Sequence, residues 1–462
     1  MRIFKSVCAL LLGAISLHAS ADYTLPAYEK TTLSNGLTVY LMEQKEVPLI
    51  DVSVVVKVGA IEDKAHAGLT SFTVDNLVLG TQSLDKKSLD QKLDFIGADI
   101  FGHANHEFTT IGASFAAKDQ DTVLPILRDL VLTPRMDAEE FDKLKKRTLL
   151  NLEQEKESPR TVINRYFNRQ LFGAQGYGAE VTGNTNTVAN ISLDQIKSHH
   201  KHWYQPDNAA VIVVGDFSQK EMKSRLNKLF GTWKKTATVT PSQVATTNAP
   251  SQSNVVIVNK DNAGESTFLI GGLGITRDNP DIVGLSVINT ILGARFTSWL
   301  NDELRVEAGL TYGARSRFTS YSNDGSFAIS TFTKTETTVE AIDLALKTYA
   351  RLWEKGIDEQ TLDSAKAYVK GQFPPNFETS TDLAGLLVDM YGYQFDESYI
   401  NTFEQQVNSL TVEKTKSLIS KYFPKENLQF VVVGKASEIQ VKLRKYGEVS
   451  TVQIEDAGFA VK

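Results

Sequence analysis

The stretch HAGLTSFTVDNLVLGT, residues 66–81, places a hydroxyl and a carboxylate four positions apart. Leu69, Phe72 and Leu77 recur at helical spacing and Gly80 supplies a stop. The segment is therefore predicted as an amphipathic helix with Ser71 and Asp75 on one face and Val74 between them. Such a face is an active site, the remains of one, or a solvated surface. Two histidine groups also have the atoms for metal chemistry. His103, His106 and Glu107 stand in HANHE, but strand residues three apart point to opposite faces, which separates the two rings. HHKH, residues 199–202, sits in a charged helical stretch and reads as surface. LIGGLGI, residues 269–275, lacks the spacing and the Lys-Ser or Lys-Thr of a phosphate loop and reads as a strand of small residues. The sequence contains no G-x-S-x-G and no C-x-x-C.

The elements that must position these residues come in two sets. VANISLDQIKSHHKHWYQPDNAAVIVVGDF (188–217) matches VNSLTVEKTKSLISKYFPKENLQFVVVGKA (407–436), with Val188 and Val407, or Gly215 and Gly434, 219 positions apart. VDNLVLGT (74–81) resembles VINTILGA (287–294) in the same order. The chain therefore reads as two homologous halves. TATVTPSQVATTNAPSQSN (236–254) is rich in Thr, Ser, Pro and Ala without periodicity, and reads as the linker between them. The first half opens on TTLSNGLTVYLMEQ, where Asn35-Gly36 is a hairpin turn between alternating strands. IDVSVVVKVG is a buried strand, MDAEEFDKLKKRTLLNLEQEKE a long charged helix, and NAAVIVVGD a closing strand. Strands and helices segregated in this way predict an α+β fold of two α/β-sandwich halves, each a mainly antiparallel sheet with helices on one side.

Composition bounds the compartment and the partners. The 462 residues are 42% hydrophobic and 23% charged, ordinary for a globular protein. MRIFK, then the apolar run SVCALLLGAISL, then Ala19-Ser20-Ala21 form a secretory signal peptide over residues 1–21. The domains are then 22–235, the linker 236–254, and 255–462. The one cysteine, Cys8, lies in the leader, so the exported chain has no disulfide, which suits the bacterial periplasm. Loss of Arg2 and Lys5 takes the formal charge from −6 to −8, and no basic cluster suggests nucleic acid. No later run reaches 18 apolar residues, so no membrane span is expected.

LSNGLTVYL, VGAIEDKAHAGLTSFTVDNLVLGT, YQPDNAAVIVVGDF and ILGARFTSWLNDELRVEAGLTYGARS resemble the pitrilysin/insulinase metallopeptidases, with the processing-peptidase-like short members closest in size. The resemblance implies two halves facing each other across a chamber. It also implies an inverted zinc motif, H-x-x-E-H, on the helix quoted first, where two histidines grip the metal and the glutamate deprotonates the bound water. In the frame G-L-x-H-F-x-E-H, Ser71 and Asp75 stand at the histidine positions and Val74 at the base. A third ligand, a glutamate, would fall near residues 151–155, with Glu153 and Glu155 as candidates. No metal is expected in this chain. The second half keeps the family's L-R-x-x-x-G-L-x-Y pattern as LRVEAGLTY, which gives Arg305 and Tyr312 the roles of substrate binding and oxyanion stabilisation. A phenol hydroxyl can donate to a developing oxyanion, and a guanidinium fork suits substrate carbonyls. The turn before them, GARFTSW, keeps only Gly293 and Ser298 of the family's glycine- and serine-rich pattern, and Trp299 is bulky there.

Loss of the zinc motif with retention of the Arg/Tyr pair implies the non-zinc subunit of a periplasmic heterodimeric peptidase. Zinc is then expected in a homologous partner chain, the substrate is a peptide, and this chain alone does not hydrolyse it. The other reading is a non-catalytic peptide-binding or scaffold protein, including a homodimer, that uses the same chamber.

Overall fold

The computed structural model describes residues 23–461, and the signal peptide assigned to residues 1–21 lies outside them. Strands β1 (Glu29–Thr32), β2 (Thr38–Glu43), β3 (Leu49–Val56), β4 (Asp99–Ala104), β5 (Thr109–Ala116) and β6 (Ala209–Gly215) form one mixed sheet in the order β1-β2-β6-β3-β5-β4. Strands β7 (Asn254–Asn259), β8 (Glu265–Leu273), β9 (Arg315–Ser320), β10 (Gly325–Lys334), β11 (Gln429–Gly434) and β12 (Glu448–Gln453) form a second, ordered β12-β7-β11-β8-β10-β9. The duplication shows in the pairing. β6 lies parallel to β2 and antiparallel to β3, and β11 lies parallel to β7 and antiparallel to β8. Only the outermost strands differ, β1 being antiparallel to β2 and β12 parallel to β7.

Local chemistry explains the framework. Gly36 adopts φ +93° in the turn between β1 and β2, a left-handed conformation open to glycine at no steric cost. β6 and β11 are buried along their whole length, as strands covered on both faces must be, and both read as near-continuous apolar runs.

That second covered face is not legible in the sequence. One face of the first sheet, with Val39, Leu41, Val52, Val54, Val211 and Val213, packs against the half's own helices Lys86–Ile96, Gln120–Leu132 and Gln219–Phe230. The opposite face, with Tyr40, Met42, Ala210, Ile212 and Val214, joins a core with Leu383, Leu387 and Met390. These belong to helix Ser380–Tyr393 of the second half, which crosses β3 and β6. Reciprocally, helix Pro159–Phe172 of the first half crosses β8 and β11, burying Val162, Ile163 and Phe167 against Val256, Leu269, Val431 and Val433. The two crossing helices begin 221 positions apart, so they are equivalents exchanged between the halves. Helices on one side of each sheet therefore describe only what each half supplies for itself.

Residues 236–253 carry no helix or strand, and they are tied to both halves. The Ser242 amide and hydroxyl donate to the Glu62 carboxylate at 2.7 Å, and the Thr247 amide donates to Asp324 at 2.9 Å. Cavities of about 650 and 800 Å³ remain where the halves meet. Among the described residues no helix is long and apolar enough to cross a membrane.

Candidate functional site: a plugged metal helix, an arginine and an exposed tyrosine

The helix quoted at the outset spans Leu69–Leu77. Its N-terminus is held by Asp63, whose carboxylate accepts from the Gly68 and Thr70 amides at 3.0 Å and from the Thr70 hydroxyl at 2.6 Å. Burial pushes the Asp63 carboxyl up to about 7 against these three donors, which hold it down. The Thr70 hydroxyl also lies 3.2 Å from His199 Nε2. His199 is therefore buried, contrary to the surface reading of HHKH, and desolvation drops its imidazole to about 3. The other histidine group also differs from expectation, because His106 stands in the turn after β4 rather than on the strand. It is wedged edge-on against Tyr177 and Tyr321, and burial lowers it to about 4. His103 is exposed on β4, whereas His106 packs inward from the turn.

Ser71 and Asp75 share a face, as predicted, and open onto a cavity of about 190 Å³. Across it stand Asn151, Glu155 and Arg165. Glu155 and not Glu153 is the carboxylate that reaches the site, since Glu153 is exposed on helix Ala138–Gln154. Glu155 is already engaged: Arg165 Nη1 and Nη2 donate to its two oxygens at 2.7 and 2.9 Å. Val74, at the position of the base, is fully buried against β4, where a Cβ on Gly102 would stand 2.9 Å from Val74 Cγ2. Burial raises Asp75 to about 6, opposed by the Arg147 charge.

These residues do not fit zinc. A hydroxyl at one ligand position is a poor donor beside the nitrogen, sulfur and carboxylate ligands that zinc takes. The carboxylate across the cavity is neutralised by a guanidinium that a dication would have to displace. Arg165 escaped the sequence reading because nothing in its local pattern aims it back at a helix ninety residues earlier.

The second-half residues are arranged differently. Arg305 lies in the wide turn Asp302–Glu307, where the Ala308 amide reaches back five residues to the Glu303 carbonyl at 3.0 Å. Glu303, on the same turn, pairs with Arg351 at 3.0 Å. Arg305 instead rests its guanidinium 4.5 Å from the centre of the Phe296 ring, itself exposed. Gly309, at φ +62°, then turns the chain into the segment that carries Tyr312. That segment is pinned from beneath, since Asn301 Oδ1 accepts from the Ala314 amide at 2.9 Å and Thr331 donates to the Gly313 carbonyl at 2.9 Å. Tyr312 is 84% exposed, its ring near-parallel to that of Phe332 at 6.4 Å. A local ion pair for the arginine and a packed strand position for the tyrosine were the ordinary alternatives, and neither is what these side chains do. Neither residue lines the cavity at Ser71 and Asp75.

With fold and site described, the class follows. Residues 38–185 match the insulinase (peptidase family M16) profile and residues 190–369 match the peptidase M16 inactive domain profile. The chain belongs to the insulinase family, peptidase family M16. It is similar to "Zinc protease PqqE" of Helicobacter pylori, 26% identical over 431 residues covering 91% of this chain and 95% of that one. It is also similar to "Non-peptidase homolog YmxG" of the same organism, 21% identical over 81% of this chain and 86% of the relative. A solved peptidase M16 inactive domain from Pseudomonas fluorescens shares the fold, with a TM-score of 0.82 and 24% identity over 88% of this chain and 98% of that one.

Proposed function

We propose that this chain is the non-zinc subunit of a periplasmic heterodimeric metallopeptidase. The observation that carries the reading is the contrast between its two sites. The metal helix is plugged by the Arg165–Glu155 pair, whereas Tyr312 is solvent-facing on a pinned backbone and the half-buried Arg305 rests on an exposed Phe296. A partner of the same fold would hold zinc, which supplies the activated water. Arg305 donates to carbonyls of an extended peptide, and the Tyr312 hydroxyl donates to the oxyanion as it forms. Phe296 and Phe332, stacked beside the two groups, limit the rotamers each must give up on binding. Export rests on the leader at residues 1–21 and on a chain without cysteine after it.

The test mixes the purified mature chain with a homologue that bears H-x-x-E-H. Cleavage of a peptide pool is expected only in the mixture. Tyr312→Phe is expected to lower kcat by about 100- to 1,000-fold, the usual cost of one oxyanion donor, while the complex still forms. Absence of a complex, or full activity with Tyr312→Phe, rejects the assignment. A second reading is a peptide-binding scaffold without catalysis, for which the cavity of about 800 Å³ beside Phe296 offers room for a peptide segment. Peptide binding without activation of any zinc-bearing homologue would select it.

A further inference from the structure

The cavity of about 800 Å³ lies between the crossing helix Pro159–Phe172 and the second sheet. Its floor is set by register. Ser326, Ala328 and Ser330 alternate along β10 and pair across to Thr319, Arg317 and Arg315 of β9. Residues directly opposite in an antiparallel pair share a face, so two arginines rise beside a strip of small side chains. Arg295, from the turn before Ser298, lines the same space. Arginine is the sole charged residue type on the lining of this cavity. None of the three enters an ion pair among the described residues. Arg295 donates to Ser364 at 3.1 Å, and its Nε is buried without a partner. Three like charges around one space, in a chain whose overall charge is negative, mark a site whose compensating charge comes from its occupant.

We propose that this cavity seats an acidic peptide segment with carboxylates at alternating positions. The occupant being a peptide rests on the function proposed above, and the inference adds its substrate class. Arg315 and Arg317 are two residues apart on a strand, so their Cα atoms stand about 6.6 Å apart, the repeat of side chains on one face of any extended peptide. An Asp/Glu-x-Asp/Glu stretch laid along β9 meets one guanidinium with each carboxylate, in the bidentate geometry that arginine favours. The small floor leaves room for the peptide backbone. Phe296 joins this cavity to Arg305, so a segment seated here continues directly toward the Arg/Tyr pair. A long polyanion is disfavoured, because the net negative charge of the rest of the chain repels it.

The experiment uses the mature chain alone. A fluorescein-labelled octapeptide of alternating Ala and Glu is titrated by anisotropy at low salt, beside its Ala/Gln counterpart. The Glu peptide is expected to bind at least tenfold tighter, with the margin shrinking as NaCl rises, and Arg315→Gln/Arg317→Gln is expected to erase it. Equal affinity for the two peptides, or a preference that survives the double substitution, overturns the proposal. So does inorganic polyphosphate or a single-stranded oligonucleotide binding more tightly than the Glu peptide, which would make the site a general polyanion trap. Because no partner or zinc is present, failure of mixed-chain cleavage leaves this result standing and bears only on the heterodimer reading.

Discussion

At the scale of single residues, the degenerate helix carries a charge that the fold tolerates poorly. Asp75 is surrounded by Phe72, Leu152 and the plugged cavity, and desolvation raises its carboxyl to about 6. In the unfolded chain the same group titrates near 3.9. The folded state therefore binds the proton more tightly, and stability is lost as pH rises from about 4 through 6. Asp75→Asn removes that liability. It is expected to stabilise the protein by about 1–3 kcal/mol at pH 7.5, with the gain vanishing below about pH 4. Urea midpoints at the two pH values measure it. Destabilisation by Asp75→Asn at pH 7.5 would show that the carboxylate holds a cation after all.

At the scale of elements, the helix, the Asn35-Gly36 turn and the closing strands β6 and β11 were all readable, because local periodicity and turn chemistry determine them. So was the internal duplication, from two pairs of matched stretches in the same order, 213 and 219 positions apart. The exchange of helices Pro159–Phe172 and Ser380–Tyr393 was not, because an apolar helix face fits either sheet and only long-range packing chooses. His199 was misread for a related reason: its helix is charged around it, and the face that turns inward is set by Thr70, far off in sequence. The same non-local contact controls the metal site. Replacing Ser71 and Asp75 by histidine restores two ligands on Leu69–Leu77, yet Arg165, on the crossing helix, still occupies Glu155. The double variant is expected to take up no stoichiometric zinc by calorimetry or elemental analysis. Adding Arg165→Ala frees the third ligand, and uptake of about one zinc per chain is expected. Stoichiometric zinc in the double variant alone would show that the guanidinium is not the plug.

At the scale of the whole molecule, the exchange makes the halves mutually dependent. Each sheet has one face covered by the other half's helix, so neither can keep both faces dry alone. The chain's last segment adds to this. Phe459 is 1% exposed, its ring 5.0 Å edge-on from Tyr166 of the crossing helix, and its amide donates to Glu180 at 3.1 Å. Lys156 donates to the Gly458 carbonyl at 2.8 Å, and the Arg165 guanidinium lies 4.8 Å from the Phe459 ring centre. One end of the second half thus braces the helix that plugs the metal site in the first. Removal of a buried aromatic of this kind costs about 3–5 kcal/mol, so Phe459→Ala is expected to lower stability by that amount. Because the halves share their cores, the loss should fall on both together as one shifted transition in calorimetry, with the fluorescence of the four tryptophans, Trp203 and Trp233 in the first half and Trp299 and Trp353 in the second, moving in step with far-ultraviolet dichroism. Two resolved transitions, with the first half melting at its original temperature, would mean that the crossing helices do not couple the sheets. Cooperative loss instead makes the plugged metal helix and the arginine-lined cavity two faces of one rigid body, joined by Pro159–Phe172, which sends Arg165 to one and Asn164 and Asn168 to the other.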